Sequence, residues 1–186
     1  LEMDGNNRLG DARDSQGFGQ FSGQGGMAVL SRFPIDETGV QDFSALLWRD
    51  LPGRHLPGTA AKPFPSAEAI NAQRLSSTGH WVVPVSLPMG GTLSLMAFSA
   101  TPPVFDGPED RNGLRNADEI RLWRVFRDGA LVQSPPDARF VLLGNANLDP
   151  NAGQGRHEVM RALLLDRRFQ DPQPVSTGAA LAGSNV

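Results

Sequence analysis

Asn145, Asn147 and Asp149 fall within five residues of one another, directly after the apolar run Phe140 to Leu143 and the breaker Gly144. A short continuous apolar run of this kind reads as a strand buried on both faces. Its carboxyl end is where an α/β sheet places its ligand crevice. Three side chains bearing amide or carboxylate oxygen at such a spot suit a hard cation or a phosphate ester. The same residue types also make an ordinary turn, since Asn, Asp, Gly and Pro are the residues turns use. Local spacing alone leaves both readings open.

Other groups with chemistry are scattered. His80 stands beside Trp81, and His157 opens a segment with helical periodicity. Asp106, Glu109, Asp110, Arg111 and Arg115 crowd a polar loop that follows Thr101-Pro-Pro103. Asp4, Asn6, Asn7 and Arg8 lie in a Gly-rich opening stretch. Arg121, Arg124 and Arg127 recur at helical spacing, which is the pattern of a solvated face.

The elements that must position these groups belong to one domain covering residues 1–186, since a chain of 186 residues supports one core. Met27 to Leu30 reads as a short strand ended at Pro34, and Asp42 to Asp50 as either strand or helix. Leu51 to Pro65 reads as a proline-rich loop. Ser76 to Leu87 and Thr92 to Ser99 read as a hairpin turning at Met89-Gly90-Gly91. Asn116 with Glu119 has the spacing of a capping box, heading a helix whose apolar side is Ile120, Leu122, Trp123 and Phe126 and which Gly129 ends. Arg156 to Asp166 is a second helix. From Asp171 the chain is Pro, Ser, Gly and Ala, with no element that closes a fold.

Composition sets outer limits. There are no cysteines, so disulfides, thiol nucleophiles and cysteine zinc sites are excluded. A net charge of −3 gives no general attraction to nucleic acid. No apolar run has the length of a membrane span, and the first 20 residues do not form a signal peptide.

Taken together, Gly25-Gly-Met-Ala-Val-Leu-Ser-Arg-Phe-Pro-Ile35, the stretch from Ala97 through Thr101-Pro-Pro-Val-Phe-Asp-Gly-Pro-Glu-Asp-Arg-Asn-Gly113, and Leu143-Gly-Asn-Ala-Asn-Leu-Asp-Pro150 resemble the endonuclease/exonuclease/phosphatase superfamily, in its bacterial, often exported branch. The resemblance implies a DNase I-like four-layer α/β sandwich, two packed β-sheets flanked by helices, here incomplete at both ends. It implies hydrolysis of phosphoesters with Mg²⁺ or Mn²⁺, and a periplasmic or secreted location. The family's Gly-Asp-x-Asn turn falls on Gly144-Asn145-Ala146-Asn147. Asn147 then holds phosphate, while Asn145, at the catalytic and metal-facing position, can hydrogen-bond water but cannot take its proton. Ser99 stands where a His is usual, and His80 is left as the donor to the reacting group. The family's metal-binding Glu and closing Asp-His pair would lie on strands before Leu1 and after Val186. A partner chain, or further residues, would then cover the open sheet edges.

Two readings follow: a phosphoesterase weakened at Asn145 and Ser99, or a catalytically silent interaction module on the same fold. Arg111 and Arg115 are the cations placed to meet phosphate, with Asp106 bordering them. The acidic residues beside them favour a small phosphoester or a short nucleic-acid end over long duplex DNA.

Overall fold

A computed structural model describes residues 1–178 and residue 181; the end of the Asp171 to Val186 tail lies outside the described residues. The organising unit is a four-stranded sheet in the order β1 (Gln41–Asp42), β2 (Gly79–Ser86), β3 (Thr92–Ser99), β4 (Phe140–Asn145). Strands β2 and β3 form the expected antiparallel hairpin, and Gly90 and Gly91 supply the positive φ, 86° and 87°, that its tight turn requires. Strand β4 lies parallel to β3, with Ser99 opposite Asn145. That parallel pairing requires a crossover, which α2 (Arg111–Arg127) provides.

Helix α2 packs its apolar side on the sheet. Ile120, Leu122, Trp123 and Phe126 are fully buried against Val82, Met96 and Phe98 of the strands and Phe43, Trp48 and Leu51 of the segment that leads into them. The rings meet edge to face, Phe43 on Phe126 at 5.1 Å and Phe98 on Trp123 at 5.8 Å. Helix α3 (His157–Leu164) adds Met160 and Leu163 to the same core, and a short α1 (Ala67–Ala72), which no sequence pattern announced, is capped by Ser66.

Several expectations are corrected. Helix α2 starts at Arg111, so Asn116 and Glu119 lie in its interior and form no capping box. Arg121, Arg124 and Arg127 are half-buried and not a freely solvated face. Arg121 pairs with Asp118 and Arg124 with Asp166, while Arg127 lies over the Phe140 ring at 4.6 Å. Met27 to Leu30 is not paired as a strand, and Leu30 is 97% exposed. Strand β4 is not buried on both faces. It is a sheet edge with helices on one side only, so Val141 and Leu143 are 44% and 42% exposed on the other. The mixed α/β class holds. Among the described residues there is one sheet, and the second sheet of the expected sandwich is not among them. No helix among the described residues is long and apolar enough to cross a membrane.

Candidate functional site

The carboxyl ends of β3 and β4 place Ser99 and Asn145 directly opposite each other. Because side chains alternate along a strand, both point away from α2, whereas His80, one row back opposite Phe98, points toward it. The pleat therefore separates the three residues that the sequence grouped together. His80 is fully buried, with its ring 5.5 Å from Trp123. Its Nε2 donates to the carbonyl oxygen of Glu119 at 2.9 Å, and its Nδ1 accepts from the Ser76 hydroxyl at 2.5 Å. Burial lowers its pKa to about 4. It is fully buried with both ring nitrogens engaged, so it does not lie on the surface where the sequence reading put a donor to the reacting group.

The β4 turn is built tightly. Gly144 has φ 147°, and a Cβ there would sit 1.9 Å from the Phe98 carbonyl oxygen, so only glycine fits. Asn147 takes a left-handed φ of 49°, and its Nδ2 donates to the Ala100 carbonyl at 2.8 Å. The exposed Asn145 accepts from the Asn147 amide through Oδ1 at 3.0 Å. From below, the buried Asn116 ties both strand ends together, donating to the carbonyls of Thr101 (2.7 Å) and Ala146 (2.8 Å). Asp149 accepts the amides of Asn151 and Ala152, which lower its pKa, and closes an ordinary turn. His157 anchors that turn by donating from Nδ1 to the Asp149 carbonyl at 2.7 Å.

Charge gathers elsewhere. A cavity of about 950 Å³ opens beside the end of β3 at Thr101 and Pro102, between the 104–112 loop and the opening loop of the chain. One wall carries Asp4, and behind it Glu2, Asp4 and Asp14 each bring a carboxylate oxygen within 4.8 Å of the others. Backbone amides fold this loop inward: Glu2 Oε1 accepts those of Asp4, Gly5 and Asn6, and Asp14 accepts those of Met3 and Gly10. Facing it is Arg111, 8% exposed and held by an Nη2 bond to Gln73 Oε1 at 2.5 Å. Burial lowers its pKa, while Asp4, Asp106 and Glu109 oppose that change. Asp106 lines the cavity and braces it by accepting the Asn112 amide at 2.5 Å.

Arg115, also expected to meet substrate, is committed to structure. Its guanidinium donates to the carbonyls of Leu75, Arg74, Ser76 and Gln16, and at 2% exposure it acts as a buried strut, with a pKa pulled down to about 10 by burial. Glu119 does the complementary work, accepting from Ser77 N (2.6 Å), Ser77 Oγ (2.8 Å) and Thr101 N (2.7 Å). Its burial raises its pKa, opposed first by Arg115. No spacing rule reveals Glu2 and Asp14 as partners, because a loop brings them together. The loop's density of Asp, Asn and Gly was the visible signal.

The model of the endonuclease/exonuclease/phosphatase family matches residues 2–184, nearly the whole chain. The chain belongs to that family. Its mixed α/β architecture, with helices on a four-stranded sheet, is consistent with the family's DNase I-like fold. Among solved structures, sphingomyelinase C from Streptomyces griseocarneus is similar, with a TM-score of 0.44 and 15% identity over 76% of this chain and 38% of that one. This chain therefore spans well under half of that neighbour's length. No curated protein matches it in sequence.

Proposed function

We propose that the protein is a divalent-metal-dependent hydrolase of small phosphoesters, slow because the base position of its family is an amide. The observation that carries the reading is the cavity that sets the Asp4 wall of a three-carboxylate cluster across from a buried arginine. Hard oxygen donors of this type fit Mg²⁺ or Mn²⁺, and Glu2, Asp4 and Asp14 are the residues that would hold it. Such an ion, when bound, offsets charge on phosphoryl oxygens. Arg111 orients the phosphate through its guanidinium, which stays protonated despite burial. Asn147 holds the end of β3 in place through Ala100, and Asn145, whose Oδ1 already accepts the Asn147 amide, is left to orient a water through its remaining amide valence. It has no proton affinity to activate that water, which is why turnover is expected to be low.

Hydrolysis of bis(p-nitrophenyl) phosphate and p-nitrophenyl phosphate with added Mn²⁺ tests the reading. Turnover that EDTA abolishes and Asp4→Asn diminishes supports it. Rates no higher than those of the Asp4→Asn variant favour the second reading, a silent interaction module. That alternative has its own support, since β4 is paired on one side only and shows Val141 and Leu143 to solvent, a surface that a partner chain would cover.

A further inference from the structure

The cavity beside Arg111 has a second component that phosphate binding does not use. Phe18, Phe64 and Phe105 line it, together with Pro102 and Val104. Phe18 and Phe105 are 71% and 78% exposed, and with Phe64 they put three rings on one lining and so form a contiguous apolar patch. Phe105 is held in this position. Its backbone is left-handed at φ 70°, a costly conformation for a residue with a Cβ. The loop around it is closed on itself, with Asn112 Nδ2 on the Val104 carbonyl (2.7 Å) and Glu109 Oε1 on the Gly107 amide (2.9 Å). Phe64 is fixed in turn against Gly5, where a Cβ would come within 2.6 Å of the ring.

Arg111 lies among these rings, more than nine-tenths buried. Beyond its bond to Gln73, no acceptor engages its guanidinium among the described residues. The lining carboxylates Asp4, Asp106 and Glu109 stand among the cations Arg13, which pairs with Asp4 at 3.5 Å, the fully hydrogen-bonded Arg115, and Arg111, a near balance of charge that suits a single anionic group on Arg111 better than a polyanion. A volume of about 950 Å³ is that of a small-molecule site, larger than one phosphate needs.

Building on the proposed phosphoesterase reading, we infer that the cavity is a subsite for a single phosphate ester bearing a flat aromatic group, with the phosphate on Arg111 and the ring enclosed by Phe18, Phe64 and Phe105. The site then selects a nucleotide or aryl phosphate over an alkyl phosphate or a polymer, because a planar group meets three rings with little loss of conformational freedom.

Calorimetric titration of the full chain with phenylphosphonate, hexylphosphonate and methylphosphonate, without added metal, tests this. Phosphonates are not hydrolysed, so a failure of turnover and a failure of this subsite remain distinguishable. Phenylphosphonate is expected to bind about tenfold tighter than methylphosphonate and about threefold tighter than hexylphosphonate. Replacing the exposed pair, Phe18→Ser with Phe105→Ser, leaves the fold intact and should erase the phenyl preference. Arg111→Lys, checked by its thermal melt, should weaken all three probes alike. Equal binding of phenyl and methyl probes overturns the inference. So does tightest binding of the hexyl probe, a phenyl preference that survives the double replacement, or no binding of any probe at millimolar concentration.

Discussion

The turn after β4 and the cavity beside α2 sit at the same end of the sheet but are built in opposite ways. The turn is exposed and made of amides, and its geometry is fixed by backbone constraints at Gly144 and Asn147. The cavity is a half-open cleft, made of charges and rings, and fixed by long-range contacts of buried side chains with distant loops. The turn can position groups precisely but has little charge to lend a reaction. The cavity holds the charge but depends on remote segments to keep its shape. In the reading proposed above, the turn serves to position groups and the cavity supplies the charge.

The strongest test of that division removes the strut. Arg115→Met leaves four carbonyl oxygens and Glu119 without their cation, and is expected to cost about 3–5 kcal/mol of stability in urea unfolding. The cavity probes should lose affinity along with the stability. Stability within about 1 kcal/mol of the parent would show that the cavity wall does not depend on this residue.

A second test uses pH. The folded pKa of His80 is lowered to about 4 from 6.5, so between these values the unfolded chain binds more protons than the native one. Stability from this group is then full above pH 6.5 and is lost as pH falls through 4, by about 3 kcal/mol in all. His80→Gln should flatten that acid limb while leaving turnover near pH 8 intact. A collapse of turnover with stability unchanged would instead place His80 in the chemistry.

Two smaller effects separate the turn from the carboxylate loop. Asp4→Asn is expected to raise the Mn²⁺ concentration for half-maximal turnover by about tenfold, within the range seen when groups that support a metal are lost. Asn145→Asp adds a carboxylate at the family's position and should tighten Mg²⁺ by about threefold in isothermal titration. Equal affinities for Asn145→Asp and its parent would place the ion wholly on the loop from Glu2 to Asp14.

The hairpin, the apolar side of α2 and the turn at Gly144 were legible because period-two and helical patterns, and glycine's conformational range, are local properties of sequence. The polar side of α2 was not. Arg111 and Arg115 read as cations facing phosphate and Asn116 and Glu119 as a capping box, yet these four and Asp118 are all buried, because that face packs on irregular loops whose amides and carbonyls need polar partners. The placement of His80 was hidden for a related reason. Its residue type suggested chemistry, but only the register shows that it lies one row from Ser99 on the opposite side of the pleat. The carboxylate cluster and the rings beside Arg111 come from separate loops, and no pattern within a single segment encodes their meeting.

The contact from Arg115 to the Gln16 carbonyl spans 99 residues of sequence. A loop of that size is closed only after the intervening hairpin and α2 exist to hold the guanidinium, because closure entropy must be repaid by contacts already made. The opening loop should therefore be the last part of the chain to order and the first to loosen. Native-state hydrogen exchange would show amides near Gln16 opening well before those of β2 and β3, with the pocket disappearing while the sheet still stands.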